Sequence, residues 1–258
     1  MTHDPIAGRR YWLIGASSGI GAALAHELLG RGAHVAISAR RIEDLEAVSA
    51  GRMTVVPLDA TDHEAVQHAE ADVRSALGGL DAVVWCAGYW KQFDAAEWDR
   101  ETFARHIEVN LLGLNNVLAA IIPSMVAAGH GHIVGVASVA GYRGLPGAEA
   151  YGATKAAQIN LLESLRAALR RKGVRVTTVC PGFVRTEMTE SNTFPMPFIV
   201  DADEAARSIA DGLARCRTEI IFPLRMAILM KAARLVPVRT WSALTATKDD
   251  RTPSPANA

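Results

Sequence analysis

Short apolar runs occur at residues 11–14, 34–38, 54–58, 82–86, 132–137, 174–179 and 219–222, with no polar alternation. That is the pattern of strands covered on both faces. Longer stretches between them repeat their apolar residues at helical spacing. In 19–30, Ile20, Ala23, Leu24 and Leu28 share one face. Further helices are expected over 42–48, after Asp62 as an N-cap, over 99–128 with a kink at Pro123, and over 151–171, ending at Gly173. Strands alternating with helices are the rhythm of crossover units in a parallel sheet. The expected fold class is therefore α/β. It is a doubly wound parallel sheet of about seven strands, with helices on both faces, in a single domain over 1–247. The polar, Pro-containing tail 248–258 is expected to be disordered.

Composition adds limits. The chain has 258 residues, half of them hydrophobic, enough for one large core. Lys and Arg number 27, as do Asp and Glu, so nothing points to nucleic acid. Cys86, Cys180 and Cys216 are odd in number and include no Cys-x-x-Cys, which fits reduced thiols in a cytoplasm. The N-terminus lacks the apolar core of a signal peptide. No uninterrupted apolar run reaches the roughly 18 residues of a spanning helix. His130-Gly-His132 is expected to be a plain loop, with no metal.

Two local patterns carry chemistry. Gly15-Ala-Ser-Ser-Gly19-Ile-Gly21 follows a strand and opens a helix. Gly15 allows a tight turn, Gly19 a close approach to a pyrophosphate, and Gly21 close helix–strand packing. The helix N-terminus then offers free N–H groups to phosphate. After the second strand come Arg40 and Arg41, where a carboxylate would select NAD. A guanidinium suits a 2′-phosphate, so NADP(H) is preferred and NAD(H) is the second choice. In the other pattern, Tyr151 and Lys155 lie one helical turn apart, with Ser138 upstream. A phenol with a reference pKa of about 10 needs a nearby cation to exchange a proton near neutral pH.

Together these residues resemble the short-chain dehydrogenase/reductase family, in its single-domain branch, over residues 9–222. The resemblance implies a Rossmann fold and a hydride transfer between nicotinamide and a carbonyl or secondary alcohol. It implies a catalytic set of Asn110, Ser138, Tyr151 and Lys155. Tyr151 would be the acid/base, Lys155 would lower its pKa and hold the nicotinamide ribose, and Ser138 would bond the substrate oxygen. Asn110 would hold a water linking Lys155 to solvent. Cofactor contacts are implied for Gly15, Ser17, Ser18, Gly19, Ile20, Gly21, Arg40, Arg41, Asp59, Ala60, Cys86, Ala87, Gly88, Tyr151, Lys155, Pro181, Gly182, Val184 and Thr186. The chain departs from the family at Ile14, usually Thr, and at Cys86, usually Asn, which implies altered local hydrogen bonding. A dimer or tetramer through the 99–128 and 151–171 helices is also implied. The face of Ile159, Leu162, Leu165 and Leu169 fits such an interface or the sheet.

By the same resemblance, residues 187–200 occupy the substrate-loop position, and their Met188, Phe194, Met196 and Phe198 suit either packing of the loop onto the body or an apolar small-molecule carbonyl or alcohol. Glu149 is expected to be an exposed loop charge, and Cys180 a buried structural thiol. Residues 223–238 are rich in Met and Leu with interspersed cations. They suit a peripheral membrane contact, a cover over the site mouth or a subunit contact, but are too charged and short to span. A non-catalytic NADP-binding redox sensor, or the same fold used for dehydration or epimerisation, are the alternatives to hydride transfer.

Overall fold

A computed structural model describes residues 4–190 and 192–246. The tail expected to be disordered lies outside the described residues. In chain order the elements are β1 (Arg10–Ile14), α1 (Gly19–Gly30), β2 (His34–Ser38), α2 (Ile42–Ser49), β3 (Thr54–Val55), α3 (His63–Leu77), β4 (Ala82–Trp85), α4 (Arg100–Ile107), α5 (Gly113–Ala128), β5 (Gly131–Val136), α6 (Glu149–Leu169), β6 (Val174–Pro181), β7 (Val184–Arg185), α7 (Glu187–Glu190), β8 (Val200–Asp201), α8 (Ala202–Ala214), β9 (Glu219–Phe222), α9 (Leu224–Ala233) and α10 (Val238–Thr245).

Seven strands make one parallel sheet in the order β3-β2-β1-β4-β5-β6-β9. Within β1, Leu13 faces one layer of helices and Trp12 and Ile14 face the other. The first layer packs Leu24 and Leu28 of α1 and Ile209 of α8 onto the sheet. The second packs Val66 of α3, Ile121 of α5 and Leu162 of α6. Both faces are thus apolar, which is why the strands show no alternation. Leu162 and Leu169 are buried against this sheet rather than held for an interface. A side chain at Gly135 of β5 would collide with Leu162, so glycine is what lets α6 lie close.

Several boundaries differ from expectation. β3 is only two residues long, although Val56 and Leu58 still donate to Ile37 and Ala39 at 3.0 and 2.9 Å. Asp62 does cap α3, accepting from Ala65 N at 3.0 Å. The expected helix over 99–128 is interrupted by a π turn at Glu108–Leu112, whereas α5 runs on through Pro123. Pro123 and Ala119 both face solvent, so the carbonyl that loses its donor meets water. This Arg100–Ala128 stretch has an 18-residue window of mean hydropathy 1.8, of which 33% is buried in the fold. α8 was not foreseen. Its small buried residues, Ala205, Ala206 and Ala210, mute the apolar stripe that would mark a helix.

Candidate active site

The strand order reverses between β1 and β4, and loops from their carboxyl ends border one cleft of about 490 Å³. Every expected site residue lines it except Asn110, which is fully buried behind it.

The glycine turn is shaped by close backbone approaches. Gly15 has φ +88°, and a Cβ there would collide with the Ala87 backbone. A Cβ at Gly21 would collide with the Gly15 carbonyl, so α1 tucks directly under the turn. Ser18 caps α1 in extended backbone without a side-chain cap bond, and the first turn carries no acid. Its N–H groups are therefore left for an anion. The cradle and bare helix end fit a dinucleotide pyrophosphate.

The expected adenosine end is polar. Arg40 is exposed and has no ion-pair partner among the described residues. Arg41 bonds Asp44 at 2.7 Å, Glu187 at 3.0 Å and Ser18 Oγ at 3.3 Å. Asp59 accepts from Thr61 N at 3.0 Å and Thr61 Oγ1 at 2.8 Å. Burial pushes its carboxyl up, but the Thr61 bonds and nearby Arg40 and Arg105 outweigh it and hold it below the usual range.

At the other end, Ser138 opens a short 3-10 turn, Val139–Gly141, and accepts from Ala140 N at 3.1 Å. A Cβ on Gly141 would lie 2.6 Å from the Lys155 carbonyl carbon, so this turn rests directly on α6. That approach brings Ser138 to Tyr151. Burial pushes the Tyr151 phenol up to about 12, while a hydrogen bond with Ser138 pulls it down. Lys155 Nζ lies 5.4 Å from the Tyr151 ring centroid, within cation–π distance. Nζ donates to Val136 O at 2.9 Å and to Gln158 Oε1 at 3.0 Å. Burial brings the Lys155 amine down to about 8.

Asn110 sits in the π turn and bonds the loop after β4 rather than Lys155. Its Oδ1 accepts from Tyr89 N at 2.7 Å, and its Nδ2 donates to Tyr89 O at 3.1 Å and Thr154 Oγ1 at 3.0 Å. That loop begins at Cys86, whose N–H donates to Ile14 O at 2.8 Å. Burial pushes its thiol up to about 12, so it stays neutral. Thr186 touches the turn from the far side, its methyl 3.0 Å from where a Gly19 Cβ would be.

Several site residues were missed. Trp90 stands edge-on to Tyr151 at 5.2 Å, and its indole donates to Asn192 Oδ1 of the substrate loop at 2.9 Å. Buried His106, whose pKa burial lowers, bonds the Lys91 N–H and the Thr102 carbonyl. Gln158 bonds Lys155 and the Asn110 carbonyl. Helical spacing could have flagged two of these, since His106 precedes Asn110 by four residues and Gln158 follows Lys155 by three. Glu149 is not a loop charge: it opens α6, accepts from Gly147 N at 2.9 Å, and leaves Oε2 buried without a partner. Cys180 is a buried thiol, pushed up to about 11 by burial. His132 bonds Thr177 Oγ1 at 2.9 Å inside the sheet.

A parallel sheet with a glycine cradle and a Ser–Tyr–Lys cluster at one crevice defines a nucleotide-dependent oxidoreductase architecture. The chain matches the short chain dehydrogenase family over residues 11–195 and belongs to that family of oxidoreductases. It is 40% identical over 229 residues to an uncharacterised oxidoreductase of Myxococcus xanthus, covering 86% of this chain and 90% of that one. It is 37% identical over 195 residues to a glycine betaine reductase of Emericella nidulans, covering 73% of this chain but 15% of that much longer protein. Among solved structures, a short chain dehydrogenase from Burkholderia cenocepacia in complex with NADP superposes with a TM-score of 0.82. It shares 27% identity, over 94% of this chain and 99% of that one.

Gly15→Ala tests the turn against Gly30→Ala, where a Cβ meets nothing within 4 Å. Gly15→Ala is expected to cost roughly 3 kcal/mol by thermal or urea unfolding, from collision plus positive φ. Gly30→Ala is expected to be neutral or slightly stabilising. Equal stabilities would contradict the close approach.

Proposed function

We propose that the chain is an NADP(H)-dependent oxidoreductase that interconverts a carbonyl and a secondary alcohol, with Tyr151 as the acid/base. The observation that carries this reading is the meeting of Ser138, Tyr151 and Lys155 at one end of a cleft whose other end is a bare helix terminus beside two arginines. Gly15, Gly19 and the N-terminus of α1 would hold the pyrophosphate. Asp59 and Ala60 would meet the adenine end, and Lys155 the nicotinamide ribose. The bound nicotinamide supplies or accepts the hydride. At neutral pH the Tyr151 phenol is protonated, the form that gives a proton to a developing alkoxide. Ser138 donates to the same oxygen and stabilises its charge. Lys155 is mostly charged there, its amine lying near 8.

Arg40 and Arg41 support the choice of NADP(H). Arg41 is already drawn to the α1 terminus by Ser18, with Glu187 and Asp44 holding its fork at the cleft rim. The tight, apolar surround of Tyr151, with Trp90 edge-on and Met188 on the cleft wall, supports a lipophilic substrate. The exposed Leu224, Ile228, Leu229, Leu235 and Val238, with Arg225, Lys231 and Arg234, support a peripheral contact of residues 223–238 with an anionic lipid surface.

Reduced-nicotinamide absorbance should fall with at least one member of a panel of ketones and aldehydes graded from polar to lipophilic. Tyr151→Phe should lower turnover by roughly 10²-fold or more. A panel led by small polar or cationic carbonyls, such as one suited to the Emericella relative, would overturn the lipophilic reading. No turnover by a protein that binds NADPH would favour the sensor alternative.

Arg40→Ala and Arg41→Ala together should weaken NADPH by about tenfold or more and leave NADH nearly unchanged, measured by nicotinamide fluorescence. Equal losses for both cofactors would contradict 2′-phosphate recognition.

In vesicle co-sedimentation, the protein should pellet with anionic but not zwitterionic vesicles. Leu224→Glu with Ile228→Glu should abolish this. Binding that is indifferent to lipid charge, or unchanged in the variant, would remove the peripheral contact.

A further inference from the structure

Gln158 is a buried amide with no role in the chemistry above. It lies one turn after Lys155 on α6 and is 1% exposed. A buried amide costs free energy unless its groups are bonded. Here both ends are used. Its Oε1 accepts from Lys155 Nζ at 3.0 Å, and its Nε2 donates to the Asn110 carbonyl at 2.6 Å. A π turn interrupts the helical ladder, so a carbonyl within it can serve an outside donor. The amide thus links the Asn110 carbonyl and the Lys155 amine directly.

An ammonium has three N–H donors. Two of those on Lys155 go to Val136 O and Gln158 Oε1, leaving one for the cleft that Lys155 lines. The titratable groups facing Lys155 are Tyr151 on its own helix, Cys86 after β4 and Cys180 on β6. β5 contributes only a carbonyl, and the π turn only Asn110. No carboxylate is among these groups to offset the burial of the charge. Neutral acceptors must do so instead.

We propose that Gln158 is a positioning residue that keeps the buried Lys155 amine protonated and aims its one free donor along the cleft wall, bridging it to the Asn110 carbonyl. The role rests on the proposed NADP(H) reading, since the aimed donor serves the nicotinamide ribose. Removing the acceptor disfavours the charged amine and lowers its pKa, and a carboxylate at the same place raises it.

The test is the pH dependence of NADPH affinity, by nicotinamide fluorescence, for wild type, Gln158→Leu and Gln158→Glu, with melting temperatures alongside. Wild-type affinity is expected to fall as pH rises past about 8. Gln158→Leu should move that fall down by about one pH unit, weakening NADPH about fivefold at the wild-type midpoint and approaching tenfold above it. Gln158→Glu should move it up. Profiles that overlay wild type overturn the proposal, even with lowered melting temperatures, because a packing role shifts stability without shifting the profile. If Gln158→Leu does not fold, Gln158→Glu decides by the same criterion. Failure of the wild type to bind NADPH at any pH would instead overturn the cofactor reading on which the role depends.

Discussion

A parallel sheet whose strand order reverses must open a crevice, and here the crevice lies where the chain leaves β1 for α1 on one side and β4 on the other. The loops after β1, β4, β5 and β6 all meet there, carrying the glycine turn, Cys86-Ala-Gly, Ser138 and Pro181-Gly. None of these segments is near another in sequence. Their meeting depends on strands lying side by side in register, for example Ile14 beside both Ser38 and Trp85. Both faces of the sheet must then be sealed, which the two helical layers do with Leu24, Leu28 and Ile209 on one side and Ile121 and Leu162 on the other.

Close backbone contact is the second constraint. Gly15 lies against Ala87, Gly21 against Gly15, and Gly141 against Lys155. Each missing Cβ removes a spacer between a loop and the element it must touch. The same contacts that pack the domain therefore set the geometry of the cleft. At its inner end this packing buries an amine and a phenol together, with Lys155 brought down to about 8 and Tyr151 raised to about 12. Desolvation alone works against both charged forms. At the lysine, Val136 O and Gln158 Oε1 accept two of the ammonium's hydrogen bonds.

Much of this was legible in the sequence. The apolar runs marked six of the seven sheet strands to within two residues, because strands buried on both faces leave an unbroken signal. β3 was overextended, since residues 56–58 keep bonds to β2 and its following residue but not strand geometry throughout. α8 went unseen because its buried side is built from alanines. Pro123 is the strongest local breaker in the long helix, yet the helix is interrupted at Asn110, where tertiary bonds to Tyr89 and Thr154 hold the turn. The glycine turn and the Tyr151–Lys155 pair are legible because their spacing is local, whereas Asn110 and Ser138 enter through the family resemblance. Trp90 is not distinctive until its neighbours are known, and Gln158, although one turn after Lys155, shows its second partner, the Asn110 carbonyl, only in the fold.

By itself the sequence determined the class of fold, the glycine turn and the membership of the Ser–Tyr–Lys set. The fold class and the turn depend on hydrophobic period and on residue types a few positions apart, and Tyr151 and Lys155 share a helix turn, which helix and strand geometry convert directly into space, while Ser138 enters through the family resemblance. Only the tertiary structure decided how those groups bond. It directed Lys155 to Val136 and Gln158 rather than to the Tyr151 hydroxyl, gave Asn110 the task of holding the loop that presents Trp90, and tied Arg41 to Glu187 across the cleft rim. Those partners are separated by up to 146 residues. Which donor meets which acceptor over such distances depends on how whole layers pack, and no local pattern encodes it.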